Sequence, residues 1–192
     1  MPSHFTHRHF LDFVNRSSSF VCSACGLEGS GDRYECAEFC DWDLHKTCKN
    51  CPASLTTHTH PDHQLTLKWA KGYTNEHEVK GRCGVCDMYI TSRLYYSCET
   101  CSRSGTGFFL HPTCSIYPSR IVHPLDKVHY LTWQFAPGAW CDGCRQVCPD
   151  WHYRCALCNI DVHVECPVDT ARSSSGLGTL AFSIAYYLLG GF

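Results

Sequence analysis

The sequence predicts three small modules in tandem, each built mainly of short antiparallel β-strands with one short helix. Three observations predict it. Cysteine and histidine are far over-represented, at 17 and 13 of 192 residues. They fall in short pairs of fixed spacing. One order of those pairs recurs three times along the chain, which marks a repeat architecture.

The repeat is easiest to read at its end. "YRCALCNIDVHVEC" (153–166) has two relatives upstream, "YECAEFCDWDLHKTC" (34–48) and "YYSCETCSRSGTGFFLHPTC" (95–114). In each, a tyrosine (Tyr34, Tyr96, Tyr153) stands two residues before a cysteine pair, and each closes on [L/V]-H-x-x-C. A further C-x-x-C lies ahead, at Cys22/Cys25, Cys83/Cys86 and Cys141/Cys144. Ahead of that stands a histidine in an alternating apolar run: His9 in "HFLDF", His63 in "HQLTL", His129 in "HYLTW". Alternation of this kind predicts a half-buried strand. Leu11, Leu65 and Leu131, with the three tyrosines, are the predicted core. Trp69, Trp133 and Trp140 are expected to pack against the small sheets.

The copies differ in detail. The first has C-x-x-x-C at Cys36/Cys40, and the second carries "SRSGTG" after Cys101, expected as a surface loop. Modules are expected at 4–51, 58–116 and 121–168, with an apolar tail at 169–192. Cys51 and Cys148 fall outside the pattern as bystander thiols, and His77 and His152 read as loop histidines.

A C-x-x-C pair fits a redox device, a disulfide staple or a metal cage. The opening "MPSHFTHRHF" has no apolar run of the secretory kind, and an odd cysteine count suits complete pairing poorly. A reducing compartment is therefore expected, intracellular, in the cytoplasm and/or nucleus. There thiolates can hold zinc, which takes four tetrahedral N/S ligands. A two-residue spacer presents both sulfurs to one ion, and H-x-x-C places both donors on one helical turn.

Each module then offers ligands for two ions, about six Zn2+ per chain. Because no cysteine or histidine follows Cys166, the eighth ligand of each module must lie upstream. In the second module it is His60, with His58 the alternative; in the third it is His123; in the first, His4 and His7 both qualify.

Histidine, two cysteine pairs and C-x4-H-x2-C together resemble the diacylglycerol/phorbol-ester-binding zinc domain. The truncated end and paired upstream histidines are more similar to its divergent form in plant cysteine/histidine-rich proteins. The resemblance spans about residues 4 to 168 and implies interleaved sites. One set would be Cys22, Cys25, His45 and Cys48; then Cys83, Cys86, His111 and Cys114; then Cys141, Cys144, His163 and Cys166. The other would be His9, Cys36, Cys40 and His7 or His4; then His60, His63, Cys98 and Cys101; then His123, His129, Cys155 and Cys158.

Closed four-ligand sites leave no open position for substrate, so a non-enzymatic binding role is expected. The resemblance implies protein partners in plant intracellular signalling or stress and defence responses. The alternative is a protein-disulfide reductase; a histone-reading finger would need a closing C-x-x-C that the third copy lacks. Tight diacylglycerol binding is not expected, because Asp32-Arg33, Leu94-Tyr95 and Trp151-His152 replace the Gln-Gly pair of lipid-binding members. Formal charge is −2; adding fifteen thiolates and six divalent ions takes it to −5, which disfavours nucleic acid. The tail "LGTLAFSIAYYLLGGF" is shorter than the ~20 residues of a spanning helix, and is a candidate for membrane contact only.

Overall fold

The structure, a computed structural model, describes residues 4–70, 80–164 and 166. Two compact units divide at Tyr117 and Pro118. The first unit holds two copies of the repeat and the second holds one.

In the first copy, β1 (Leu11–Val14), β4 (Arg33–Cys36) and β5 (Asp43–His45) form an antiparallel sheet in the order β1-β4-β5. β2 (Ser19–Val21) and β3 (Glu28–Ser30) make a separate hairpin. A single helical turn, α1 (Lys46–Lys49), carries Cys48. The second copy is a four-stranded sheet of β6 (Ser54–Thr57), β7 (His60–Trp69), β8 (Leu94–Ser97) and β9 (Phe109–Leu110). The third repeats it with β10 (Arg120–His123), β11 (Asp126–Phe135), β12 (Trp151–Cys155) and β13 (Ile160–Val162).

The expected helix beside H-x-x-C is α1 in the first copy and a 3-10 turn, Thr113–Ile116, in the second. The inserted stretch after Cys101 is part helix: α2 (Glu99–Arg103) runs into it, and the exposed Ser104–Thr106 loop follows. No helix among the described residues is long and apolar enough to cross a membrane. His77 and the tail lie outside the described residues.

Burial follows the repeat. Leu11, Leu65 and Leu131 are buried, as are Leu44, Leu110 and Val162, the residues just before the H-x-x-C histidines. Each contributes roughly 1.5–3 kcal/mol of apolar transfer, and Phe20, Val85, Ile90, Leu94 and Trp133 are buried beside them. Tyr96 and Tyr153 are fully buried, and their hydroxyls donate to the carbonyls of Pro52 (2.7 Å) and Pro118 (2.6 Å) just before β6 and β10. Tyr34 departs from the expectation, being only half-buried against Phe13. Among the described residues the first copy has no strand ahead of β1 to cover it. The two copies of the first unit share a core: Leu94 packs in the cluster of Leu11, Phe20 and Leu44, and Leu94 N–H donates to the Ala24 carbonyl at 3.0 Å. Trp69 joins that cluster and Trp133 is buried, whereas Trp140 is exposed.

His152 also departs from the sequence reading. It lies in β12, fully buried, with Nδ1 2.8 Å from the Pro149 carbonyl and Nε2 2.8 Å from Asp161 Oδ1. Arg154 takes the other Asp161 oxygen at 2.5 Å. The ring is a two-ended strut between the loop before β12 and strand β13. Only the burial of a polar ring between two acceptors reveals it, and no spacing rule encodes that.

Candidate metal centres

The first cysteine pair of each module sits on a tight knuckle with one repeated backbone pattern. The residue after the pair takes positive φ (Gly26 72°, Asp87 57°, Arg145 62°). Its N–H donates to the carbonyl of the first cysteine at 2.8, 3.0 and 2.8 Å. The first cysteine's N–H in turn donates to the carbonyls of Leu27, Met88 and Gln146 at 2.8–2.9 Å. Both sulfurs are thereby aimed at one point, at the cost of a left-handed residue that glycine bears best. The approach is close: a Cβ on Gly143 would lie 2.6 Å from Cys166 Sγ.

Four-donor groups form where β5, β9 and β13 deliver H-x-x-C to these knuckles. Cys22, Cys25, His45 and Cys48 are one; Cys83, Cys86, His111 and Cys114 the second; Cys141, Cys144, His163 and Cys166 the third. The second cysteine pair meets the upstream histidines in His7, His9, Cys36 and Cys40, and in His60, His63, Cys98 and Cys101. Within each group the ligand atoms lie within 4.8 Å of one another, and one further group of at least three His, Cys, Asp or Glu donors exists among the described residues.

The spacings are those of a tetrahedral cage. With Zn–S about 2.3 Å and Zn–N or Zn–O about 2.0–2.2 Å, donor–donor edges come to about 3.3–3.8 Å. His45 Nδ1 is 3.4 Å from Cys25 and 3.9 Å from Cys48. His111 Nδ1 is 3.5 and 3.8 Å from Cys86 and Cys114, and His163 Nδ1 is 3.4 Å from Cys144. In the other set, His9 Nδ1 is 3.1 Å from Cys40 and 3.5 Å from Cys36, and His7 Nε2 is 3.2 Å from Cys36. His60 Nε2 and His63 Nδ1 each lie 3.5 Å from Cys101 and 3.3 Å from each other. One imidazole nitrogen facing two sulfurs cannot satisfy both as a hydrogen-bond partner, but all are satisfied by a central cation.

The electrostatics point the same way. Hydrogen bonds from the Cys25 and Cys48 thiols hold Cys22 far below the ordinary thiol value, and the bonds Cys48 gives to Cys22 and Cys25 hold it far above. Cys83 and Cys114 repeat that split through their own shared bonds. Three buried thiols in one pocket cannot all ionise without a positive ion to offset them. Second-sphere bonds orient the rings: Nε2 of His45 donates to the Glu28 carbonyl at 3.2 Å, and that of His163 to the Val147 carbonyl at 3.1 Å. This leaves Nδ1 free to ligate. The donor sets fit zinc.

The choice between His4 and His7 falls to His7. His4 is buried elsewhere, its Nδ1 2.6 Å from Thr6 Oγ1, and burial lowers its pKa to about 4. The extra residue of Cys36-x-x-x-Cys40 is absorbed by Phe39, which takes φ 56° and stands 97 % exposed.

In the third module His123 is buried, and its Nδ1 accepts the Leu125 N–H at 3.3 Å. The group that reaches His129 and the second cysteine pair is Asp126. Its Oδ2 lies 3.3 Å from His129 Nδ1, which is itself 3.2 Å from Cys158 Sγ. Hydrogen bonds, first from the Cys155 thiol, hold the Asp126 carboxyl well below the usual range. Strand register explains the shift. Thr57 pairs with His60 across a two-residue turn, and His123 pairs with Asp126 across the matching one. His123 therefore stands where Thr57 does, and Asp126 where His60 does. The sequence carries this as D-x-x-H (Asp126, His129) where the second module has H-x-x-H (His60, His63).

Tandem small sheets with interleaved Cys/His four-donor groups define a repeat protein of zinc-finger modules. The profile of the C1 domain matches residues 5–49 and 58–115, more than half of the chain, and the protein belongs to that family. Comparison with curated proteins and with solved structures gave no match.

Proposed function

We propose that the chain is a zinc-held, non-enzymatic protein-interaction array working in intracellular signalling or in stress and defence responses in plants. The observation that carries this is the gathering of thirteen of the fifteen repeat cysteines into five four-donor Cys/His groups, because a closed structural site has no position for substrate. The two thiols outside the groups are poor nucleophiles. Burial pushes Cys148 up to about 12 and also raises Cys51, whose Sγ–H donates to the Cys48 carbonyl at 3.0 Å. A disulfide reductase needs an accessible, low-pKa thiolate.

Partner-facing side chains stand on the outer knuckles instead. Phe39 is 97 % and Leu157 80 % exposed, each between the cysteines of a second pair. Exposed apolar anchors of this kind suit protein contact. The positions that hold Gln-Gly in lipid-binding members are taken by side chains committed elsewhere, including buried Leu94 and buried His152. Two assays test the reading. The zinc-loaded protein should leave insulin disulfides intact, and partner capture from plant extract should fail for Phe39→Asp/Leu157→Asp protein that keeps its zinc. Insulin reduction abolished by Cys141→Ser would favour the reductase.

A further inference from the structure

We propose that Asp126 is a zinc ligand, completing with His129, Cys155 and Cys158 a carboxylate-containing site in the third module, and that this site yields its ion first. The proposal rests on the zinc-binding reading above. The matched family residues end at 115, so this site stands on its own geometry.

Four facts converge. Asp126 is only 5 % exposed, so its carboxylate is held in place rather than sampling solvent. Its two oxygens have separate tasks: Oδ1 accepts the backbone N–H of Val128 and of His129, at 3.1 and 2.9 Å. Oδ2 is turned to the His129 ring, at the 3.3 Å that a tetrahedral N–Zn–O edge requires. His129 Nδ1 faces both that oxygen and Cys158 Sγ, which one ring nitrogen serves only through a shared, weakened hydrogen bond. A shared cation satisfies both. The register places Asp126 where the second module has His60, which lies in a four-donor group with His63, Cys98 and Cys101.

The consequence is a graded set of ions. A lone carboxylate oxygen is a harder donor than imidazole and suits zinc less well beside two thiolates. The site is also open, with Cys158 exposed and the His129 side chain 38 % accessible. Zinc there should exchange ahead of the rest.

The test uses the full-length chain, native mass spectrometry and chelator competition followed by absorbance, with cobalt(II) substitution as a spectroscopic check. Wild-type protein should carry six ions and lose one in a distinct early phase. Asp126→Asn keeps the turn-capping oxygen but should carry five ions and lack that phase. Asp126→His, which restores H-x-x-H, should carry six, with the early phase slowed about tenfold or more and the cobalt d–d bands shifted. His123→Gln should match wild type. The proposal is overturned if Asp126→Asn retains six ions with the early phase intact, or if His123→Gln drops to five. A wild-type chain that binds no zinc would instead defeat the zinc reading as a whole.

Discussion

The inner and outer sites of the modules are unlike in chemistry, and in the first module also in setting. The inner groups hold three sulfurs and one imidazole, and in the first module Cys22, Cys25 and Cys48 are all at or below 1 % exposure. The outer groups of the first two modules hold two sulfurs and two imidazoles, and Cys40 reaches the surface. Inner sites replace a hydrophobic core that modules of this size are too small to build. Outer sites clamp the start of the long strand to the knuckle after it, where solvent can reach the metal. The difference teaches that equal ligand counts do not mean equal structural weight.

The largest expected effect comes from breaking an inner site. A structural zinc contributes on the order of 10–16 kcal/mol of apparent binding free energy, more than a small module can lose. Cys114→Ser should therefore unfold its module and, because Leu94 sits in the shared core, loosen the first as well. Loss of NMR dispersion in residues 4–116 would show it. Cys40→Ser, at an exposed outer site, should cost one ion while the first module stays folded with a lowered melting temperature.

Next in size is His152→Leu. It leaves Asp161 and the Pro149 carbonyl without their buried partner, at about 2–3 kcal/mol. Urea unfolding of the third module should register this with no change in zinc count.

The tyrosines sharpen the comparison between modules. Tyr96→Phe and Tyr153→Phe each remove a hydroxyl–carbonyl bond, at about 1 kcal/mol. Tyr34→Phe, with no such bond among the described contacts, should be close to neutral. Equal losses at all three would contradict the distinction.

The effect that is smallest at neutral pH concerns His4. Burial lowers its pKa to about 4, so between pH 6.5 and 4 the unfolded chain takes up a proton that the folded chain does not. Stability therefore falls as pH drops through that window and levels off below it. His4→Gln should flatten the thermal-melting slope between pH 6.5 and 4 relative to wild type, with the shared acid release of zinc cancelling in the difference.

Much of this was legible in the sequence because metal ligation writes itself as spacing. Cys22/Cys25 with His45/Cys48, and their counterparts, needed only pair counting and the family resemblance. Leu11, Leu65 and Leu131 followed from alternation. What spacing could not show was pairing register: the two-residue turn of the β10–β11 ladder sets Asp126, three residues downstream of His123, at the position that His60 holds in the second module. Nor could it show burial imposed by neighbours, which makes His152 a strut and leaves Tyr34 half-covered. Module boundaries read from composition likewise gave no hint that Leu94 belongs to the core of the preceding copy.

The central claim is that bound zinc, not apolar burial, keeps these sheets closed. Exhaustive chelation of the full-length protein, followed by NMR or near-UV circular dichroism, tests it directly. The account predicts that six ions leave, tertiary signal collapses with them, and both return on adding zinc. A chain that kept its dispersed spectrum after complete removal of metal would contradict it.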